Sequence, residues 1–173
     1  PAAVDALRFL SLSGFRESEA LTLRWSAIDF DREAVTLEES KTGRSMRPLG
    51  SAALAVLREI DREEGSDFVF PGQAPGSHLV EIRKVWNRVR TDACLTDVRL
   101  HDLRHSVASI AASGGASLPL IGALLGHRDV KSTQRYAHLT DDARKLVADK
   151  TAREISDALA GRVTSVVPLR MPR

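Results

Sequence analysis

The feature that most constrains the fold is an uncharged stretch of twenty residues, Val107 to Gly126. Its length approaches that of a membrane span. However, small polar residues, glycines and a proline interrupt it, at Ser109, Ser113, Gly114, Gly115, Ser117 and Pro119. We therefore predict two buried helices joined at Gly114-Gly115, in a protein that does not enter the membrane.

The rest of the composition fits one domain of 173 residues. Cys94 is the only cysteine, so an intrachain disulfide and a cysteine-based zinc cluster are both excluded, and a reducing, cytoplasmic setting is expected. With 25 Lys and Arg against 23 Asp and Glu, the net charge is +2. A site for a polyanion must therefore come from local clustering of charge. The chain begins with Pro1 and without a signal peptide, which suggests a fragment or a processed chain.

The hydrophobic periodicity predicts a mainly α protein with a small antiparallel β-hairpin, an α+β fold. Two strands flank Lys41-Thr-Gly-Arg44, which predicts a turn at Gly43 with Lys41 at the tip. Ser51 is expected to cap the helix that follows. Two short helices are predicted before Arg24, and later helices over Leu79–Ala93, His101–Ser113, Leu118–Leu125, Val130–Ala137 and Asp141–Leu159.

The segment His101-Asp-Leu-Arg-His105 is a first candidate site. On a helix, residues 101, 104 and 105 share a face. The spacing resembles a zinc-binding helix, but no glutamate follows the first histidine, and Arg104 would place a cation against the metal. A guanidinium between two imidazoles suits an anion better, because its fork matches phosphate oxygens. The alternative is a solvated helix N-terminus with no site.

Two further elements have weak signals when taken alone. His127 and Tyr136, the only tyrosine, are nine residues apart, so they can share a site only if the helix breaks between them. Gly126 and Asp129 are suitable helix-end and helix-start residues for that break. Arg16 lies just after a glycine break, at a predicted helix start where backbone N–H groups favour an anion. The alternative is an ordinary surface arginine in the first turn.

Taken in order, these elements resemble the catalytic domain of the tyrosine recombinases, the phage integrase family. The resemblance runs from about Leu7 to Leu159. It rests on four separated motifs: Ser13-Gly-Phe-Arg-Glu-Ser-Glu-Ala-Leu21, Lys41-Thr-Gly-Arg-Ser45, His101-Asp-Leu-Arg-His105, and Leu125-Gly-His127 through Tyr136.

The resemblance implies a site-specific recombinase that cleaves and rejoins DNA through a 3′-phosphotyrosyl intermediate. It implies no cofactor, no metal and no ATP, and the chain has no Gly-x-x-x-x-Gly-Lys loop. By the resemblance, Arg16 and Arg104 grip the phosphate and Tyr136 attacks it. Lys41 and His101 then move protons, His127 supports the phosphate as an imidazolium, and Glu19 and His105 are supporting residues.

Double-stranded DNA is the expected partner. Phosphate contacts are predicted for basic side chains that otherwise would only be solvated: Arg44, Arg83, Lys84, Arg88, Arg90, Arg128, Lys131 and Arg135. By the resemblance, residues 1–161 form the catalytic domain, without the N-terminal domain that clasps DNA, and 162–173 form a C-terminal arm. A monomer in isolation and a homo-tetramer on paired sites are expected, with the arm packing on its own or on a neighbouring subunit. The setting would be bacterial and nucleoid-associated, or phage-encoded.

Two alternatives compete with a recombinase. A type IB topoisomerase uses the same tyrosyl chemistry to relax DNA. A DNA-binding regulator could keep the fold after losing activity, although a pure binding module has no need of a nucleophile.

Overall fold

The computed structural model describes residues 2–39, 43–127, 129 and 131–162. Within these ranges the chain is mainly helical with one small antiparallel sheet, as the sequence predicts. The helices are α1 (Ala2–Ser13), α2 (Glu17–Leu21), α3 (Ser51–Glu59), α4 (Arg83–Asp92), α5 (Asp102–Ser113), α6 (Leu118–Leu125), α7 (Lys131–Gln134) and α8 (Thr140–Leu159). The strands are β1 (Ile28–Asp29), β2 (Ala34–Glu39) and β3 (Gly43–Pro48), and short 3-10 turns lie at Trp25–Ala27 and Ala137–Leu139.

The sheet has the order β1-β2-β3, with both pairs antiparallel. The predicted hairpin is confirmed, but Gly43, predicted in its turn, instead pairs with Glu39 as the first residue of β3. Lys41, predicted at the tip, lies outside the described residues. Strand β1 was not predicted, because two residues are too short to show an alternating pattern.

The larger core lies between α1, α3 and the sheet. The ring of Phe9 packs edge-on against Phe15 at 5.2 Å and lies 6.0 Å from Phe70. Phe15 is only 2% exposed. Since this buried ring fixes the backbone just before Arg16, packing in the core sets the position from which the Arg16 side chain extends.

A second core joins α5 to α6 and confirms the two helices predicted from the uncharged stretch. The prediction that both are buried is wrong, because each helix buries only one face and leaves Ile110 73% and Leu120 65% exposed. It contains Ala108 and Ala112 of α5, Ile121 and Leu125 of α6, and the ring of Tyr136. In the described part of the chain, no helix is long and apolar enough to cross a membrane. Tyr136 is thus anchored by the same apolar surfaces that hold the helices together.

Several helix boundaries differ from the prediction. Gly50 rather than Ser51 occupies the N-cap position of α3, and no side chain caps that end. Helix α4 begins at Arg83 instead of Leu79, because the Leu79 amide donates to Phe70 O at 2.8 Å, outside any helix. Hydrophobic periodicity could not detect that bond across the chain.

Candidate active site

One open cleft of about 160 Å³ gathers most of the predicted catalytic side chains. Its walls come from the corner before α2, from α5, and from the segment between α6 and α8. The lining residues are Arg16, His101, Arg104, His105, His127, Ser132, Arg135 and Tyr136. Five of the six predicted catalytic residues therefore meet in one place, and Lys41 is the one outside the described residues.

Arg16 stands at the N-cap position of α2 and is held by Glu19. Its backbone amide donates to Glu19 Oε2 at 2.8 Å, and its Nη1 donates to Oε1 at 2.6 Å. The Arg16 side chain remains 43% exposed. The carboxylate thus orients a guanidinium that is still open to a ligand.

Arg104 reaches the same cleft from α5, although 88 positions separate it from Arg16. It is 4% exposed, and it donates from Nη1 to Gly14 O and from Nη2 to Leu125 O, both at 2.6 Å. Burial, followed by repulsion from Arg16, lowers the pKa of Arg104 to about 10. Arg104 is therefore a cation at neutral pH, held in place by two backbone carbonyl groups.

The glycine turn predicted between α6 and α7 is present and positions His127. Gly126 caps α6 in the left-handed conformation, with φ 64°. His127 Nδ1 then lies 2.9 Å from the hydroxyl oxygen of Thr133, a buried residue of α7. Burial, followed by repulsion from Arg104 and Arg16, lowers the pKa of His127 to about 4. Burial and these neighbouring cations thus favour the uncharged form of His127 in the free protein.

Tyr136 is 5% exposed and lies against His105. The distance from its hydroxyl oxygen to His105 Nδ1 is 2.6 Å. Burial raises the pKa of Tyr136, whereas burial and the neighbouring His101 lower the pKa of His105. A protonated phenol therefore faces a neutral imidazole, which is the right pairing for proton transfer from oxygen to nitrogen.

His101 is at the N-cap position of α5, and its ring packs edge-on against that of His105, with 4.8 Å between centroids. The predicted shared face of this motif is thus present. Within the described residues, no three His, Cys, Asp or Glu side chains are grouped so that they could hold a metal ion.

The predicted DNA-contact residues fall into three groups. Arg83, Lys84 and Arg88 are exposed on α4, and Lys131 and Arg135 are exposed near the cleft. Arg90 instead donates from Nη1 to Thr96 O and Val98 O at 3.1 and 3.3 Å, so it braces a turn of the fold. Arg128 and the side chain of Arg44 lie outside the described part of the structure.

Sequence reasoning missed two residues that support the cleft. Thr133 holds His127, and Arg47 holds Glu19 through two hydrogen bonds of 2.8 Å each. Arg47 stands opposite the fully buried Val35 in the hairpin register. The position of Arg47 in the strand was therefore a signal that its side chain is buried, although its charge favoured a surface position.

A mainly helical domain thus collects these groups around a buried tyrosine. The chain belongs to the phage integrase family, whose sequence model matches residues 3–143. It is similar to the tyrosine recombinase XerC of Xanthomonas axonopodis pv. citri, at 39% identity over 73% of this chain and 43% of that protein. The XerC of Erythrobacter litoralis is 31% identical over 98% of this chain and 58% of its own length.

Solved structures with the same fold include recombinases. The XerH site-specific recombinase in a pre-cleavage complex with its difH substrate has a TM-score of 0.67 at 22% identity, covering 82% of this chain and 44% of that one. The catalytic domain of bacteriophage HP1 integrase has a TM-score of 0.57 at 18% identity, covering 84% and 79%. The chain spans about half the length of the curated relatives it matches.

Proposed function

We propose that this chain is the catalytic domain of a site-specific DNA recombinase that cuts and rejoins DNA strands through a 3′-phosphotyrosyl intermediate. The observation that carries the proposal is the buried Tyr136 hydroxyl, 2.6 Å from His105 Nδ1 in a cleft with two guanidinium groups. A binding module would have no use for that pairing, which disfavours a silent regulator.

The phosphate is bound by charge supplied from side chains. A DNA phosphodiester is a monoanion that gains negative charge in its five-coordinate transition state, and preorganised guanidinium groups stabilise such charge. Arg104 is fixed by Gly14 O and Leu125 O, and Arg16 is fixed by Glu19. Their placement needs no reorganisation when the phosphate arrives.

His127 adds a third donor to the same phosphate. For a neutral ring to donate from Nε2, the other nitrogen must accept, so the Thr133 hydroxyl donates to Nδ1 across the 2.9 Å contact. Thr133 is 2% exposed, which holds this arrangement away from water. Thr133 therefore selects the tautomer that presents an N–H to the phosphate.

The cleavage step forms one bond and breaks another. The Tyr136 oxygen attacks phosphorus while its proton passes to His105 Nδ1, and the bond from phosphorus to the 5′-oxygen breaks. His101, the base suggested by the sequence, packs edge-on behind the ring of His105 and helps to fix its orientation. Lys41 supplies the proton to the leaving 5′-oxygen. One phosphodiester replaces another, so the reverse attack by a 5′-hydroxyl rejoins DNA with no nucleotide hydrolysis.

Double-stranded DNA is the partner that the exposed basic residues fit. Arg83 and Lys84 on α4, with Lys131 and Arg135 beside the cleft, supply phosphate contacts. Binding is expected to weaken steeply as salt is added, because each contact releases counterions.

Assembly into a homo-tetramer on paired sites is the further part of the proposal. Helix α8 leaves large apolar side chains on its surface, with Leu146 67%, Val147 54% and Ile155 56% exposed. Val147 and Ile155, eight residues apart, lie toward the same side of α8, and exposed apolar side chains there suit a protein–protein contact. The role of the C-terminal arm in assembly is tested by deleting residues 162–173. The deletion should reduce assembly on a paired site while single-site cleavage continues. Lower thermal stability with unchanged assembly would instead indicate an arm packed on its own domain.

The function is tested by cleavage of a nicked duplex that carries the natural site and releases a short fragment once it is cut. The wild-type chain should accumulate a covalent DNA adduct that survives denaturant, and should rejoin a supplied 5′-hydroxyl strand. Relaxation of supercoiled DNA by a monomer at unpaired sites would favour topoisomerase activity, and binding with no adduct would favour a regulator.

A further inference from the structure

Arg47 is a buried cation that none of the steps above uses. It is 1% exposed and donates from Nη1 to Glu19 Oε2 and from Nη2 to Glu19 Oε1, each at 2.8 Å. Its guanidinium also lies 5.0 Å from the centre of the Phe15 ring. A buried guanidinium with two parallel bonds to one carboxylate is rigid and specific in direction.

Glu19 is shared between two arginines. Each of its oxygens accepts one bond from Arg47 and one from Arg16, so four donors surround the carboxylate. Burial alone would raise the pKa of Glu19, but the hydrogen bonds from Arg47 and Arg16 outweigh burial and lower it to about 2. Glu19 is thus a fixed anion, and because Arg47 holds its carboxylate in place, Arg47 also determines where Arg16 is held.

The charge balance also depends on Arg47. Glu19 and Arg16 alone form a neutral pair, which would present little net charge to an approaching phosphate. With Arg47 included, two cations face one carboxylate, and the excess positive charge lies next to the open cleft. Arg104 and Arg135 also line the cleft, and the charge of Glu19 partly offsets the depression of the pKa of Arg104 by burial and by Arg16.

A third contact ties Arg47 to the segment that carries His127. A Cβ placed on Gly126 would overlap the guanidinium of Arg47, so the backbone before His127 packs directly on that group. Arg47 belongs to β3, the strand that leads back to Lys41. One side chain therefore connects the hairpin, the Arg16 corner and the His127 turn.

We propose that Arg47 is a positioning residue for strand cleavage, which holds Arg16 at the phosphate through Glu19 and requires glycine at position 126. This inference rests on the proposed function. Arg47 touches neither the phosphate nor the nucleophile. Its loss leaves Arg16 with a loosely held carboxylate and cancels the excess charge of the cluster.

The test compares Arg47→Met and Arg47→Lys with a matched control, Arg8→Met. Arg8 also bonds a glutamate at 2.8 Å, but its pair with Glu59 is exposed and distant from the cleft. Single-turnover cleavage at saturating DNA should fall on the order of 100-fold in Arg47→Met, as expected for a displaced catalytic group. DNA affinity should change much less, and Arg8→Met should cleave at the wild-type rate. Arg47→Lys should recover part of the rate, because an ammonium restores the charge but not both bonds.

Two measurements separate positioning from a purely structural role. Carbon-13 NMR of the Glu19 carboxyl should show its pKa rising in Arg47→Met, because two of the four donors that hold its anion are removed. A cycle with Glu19→Gln should be strongly non-additive, because both changes disable the same route to Arg16. If Arg47→Met fails to fold, Arg47→Lys serves in the same cycle.

The proposal would be overturned by cleavage rates of Arg47→Met that match the wild type per folded molecule, by an unchanged pKa of Glu19, or by rate losses of Arg47→Met and Glu19→Gln that simply multiply in the double variant. Failure of the proposed function is distinguishable. In that case the wild-type chain forms no adduct, while the Glu19 titration still tests whether Arg47 fixes the carboxylate.

Discussion

The Tyr136 hydroxyl lies 2.6 Å from Nδ1 of His105, and this bond joins the turn after α7 to the second histidine of the His101-to-His105 motif. The sequence assigned the proton-accepting role to His101, whose ring stands 4.8 Å behind that of His105. The geometry favours His105 as the first acceptor and His101 as its support.

Replacing His105 by alanine is expected to slow cleavage at neutral pH on the order of 100-fold, the usual scale for losing a general base. The remaining rate should rise with pH, because hydroxide must then remove the phenolic proton. The measurement is the rate of adduct formation from pH 6 to 9. His101→Ala should have the smaller effect; the opposite ranking would restore His101 as the base.

Tyr136 should ionise above the usual tyrosine range, because burial raises its pKa. As the only tyrosine, it can be titrated by the near-ultraviolet absorbance of tyrosinate with no other phenol contributing. The same titration in denaturant supplies the unshifted reference. A folded-state pKa equal to the denatured one would contradict the buried hydroxyl.

Gly126 should tolerate no side chain. Gly126→Ala is expected to cost more stability than the roughly 1–2 kcal/mol of a left-handed alanine, because its Cβ also overlaps Arg47. Gly65→Ala is the matched control, with φ 80° and open space around the added atom. Urea unfolding gives the loss of unfolding free energy in each variant, and the difference between the two losses measures the cost of the overlap with Arg47. Equal losses would show that Arg47 can move aside.

Glu19 should make the fold sensitive to acid. Its pKa is about 2 in the folded protein against an ordinary 4.5, a difference worth on the order of 3 kcal/mol. Because the folded pKa is the lower one, this stability is present above about pH 5 and is lost as the pH falls toward 2. Unfolding free energies from pH 7 to 3 should fall less steeply in Glu19→Gln than in the wild type. Glu59→Gln, at an exposed pair, should leave the slope almost unchanged.

Lys41 is expected to be the general acid. A substrate with sulfur in place of the bridging 5′-oxygen has a leaving group that needs no proton. Lys41→Ala should be slow on normal DNA and largely restored on the sulfur substrate. Equal impairment on both substrates would assign Lys41 to phosphate binding.

The helices and the cleft were predictable where local chemistry decides structure. The Gly114-Gly115 break and the left-handed Gly126 are backbone requirements that a sequence displays directly. The meeting of Arg16 and Arg104 across 88 positions was implied only by the resemblance to the phage integrase family, because nothing local to either arginine indicates the other.

Three of the unpredicted features depend on partners distant in sequence. Arg47 is buried because Glu19, 28 positions earlier, accepts both of its bonds, and an arginine without that partner would belong on the surface. His105 contacts Tyr136 across 31 positions, and the start of α4 is set by the bond from Leu79 to Phe70. Periodicity and spacing hold no information on such pairs.

The most direct test of the account is to map the covalent adduct formed on cleavable DNA. Proteolysis and mass spectrometry should find a 3′-phosphonucleotide on the peptide that contains Tyr136, leaving a free 5′-hydroxyl on the other strand end. Tyr136→Phe should fold and bind DNA normally and form no adduct. Adduct at another residue, a 5′-phosphate linkage, or a wild-type yield from Tyr136→Phe would contradict the central claim.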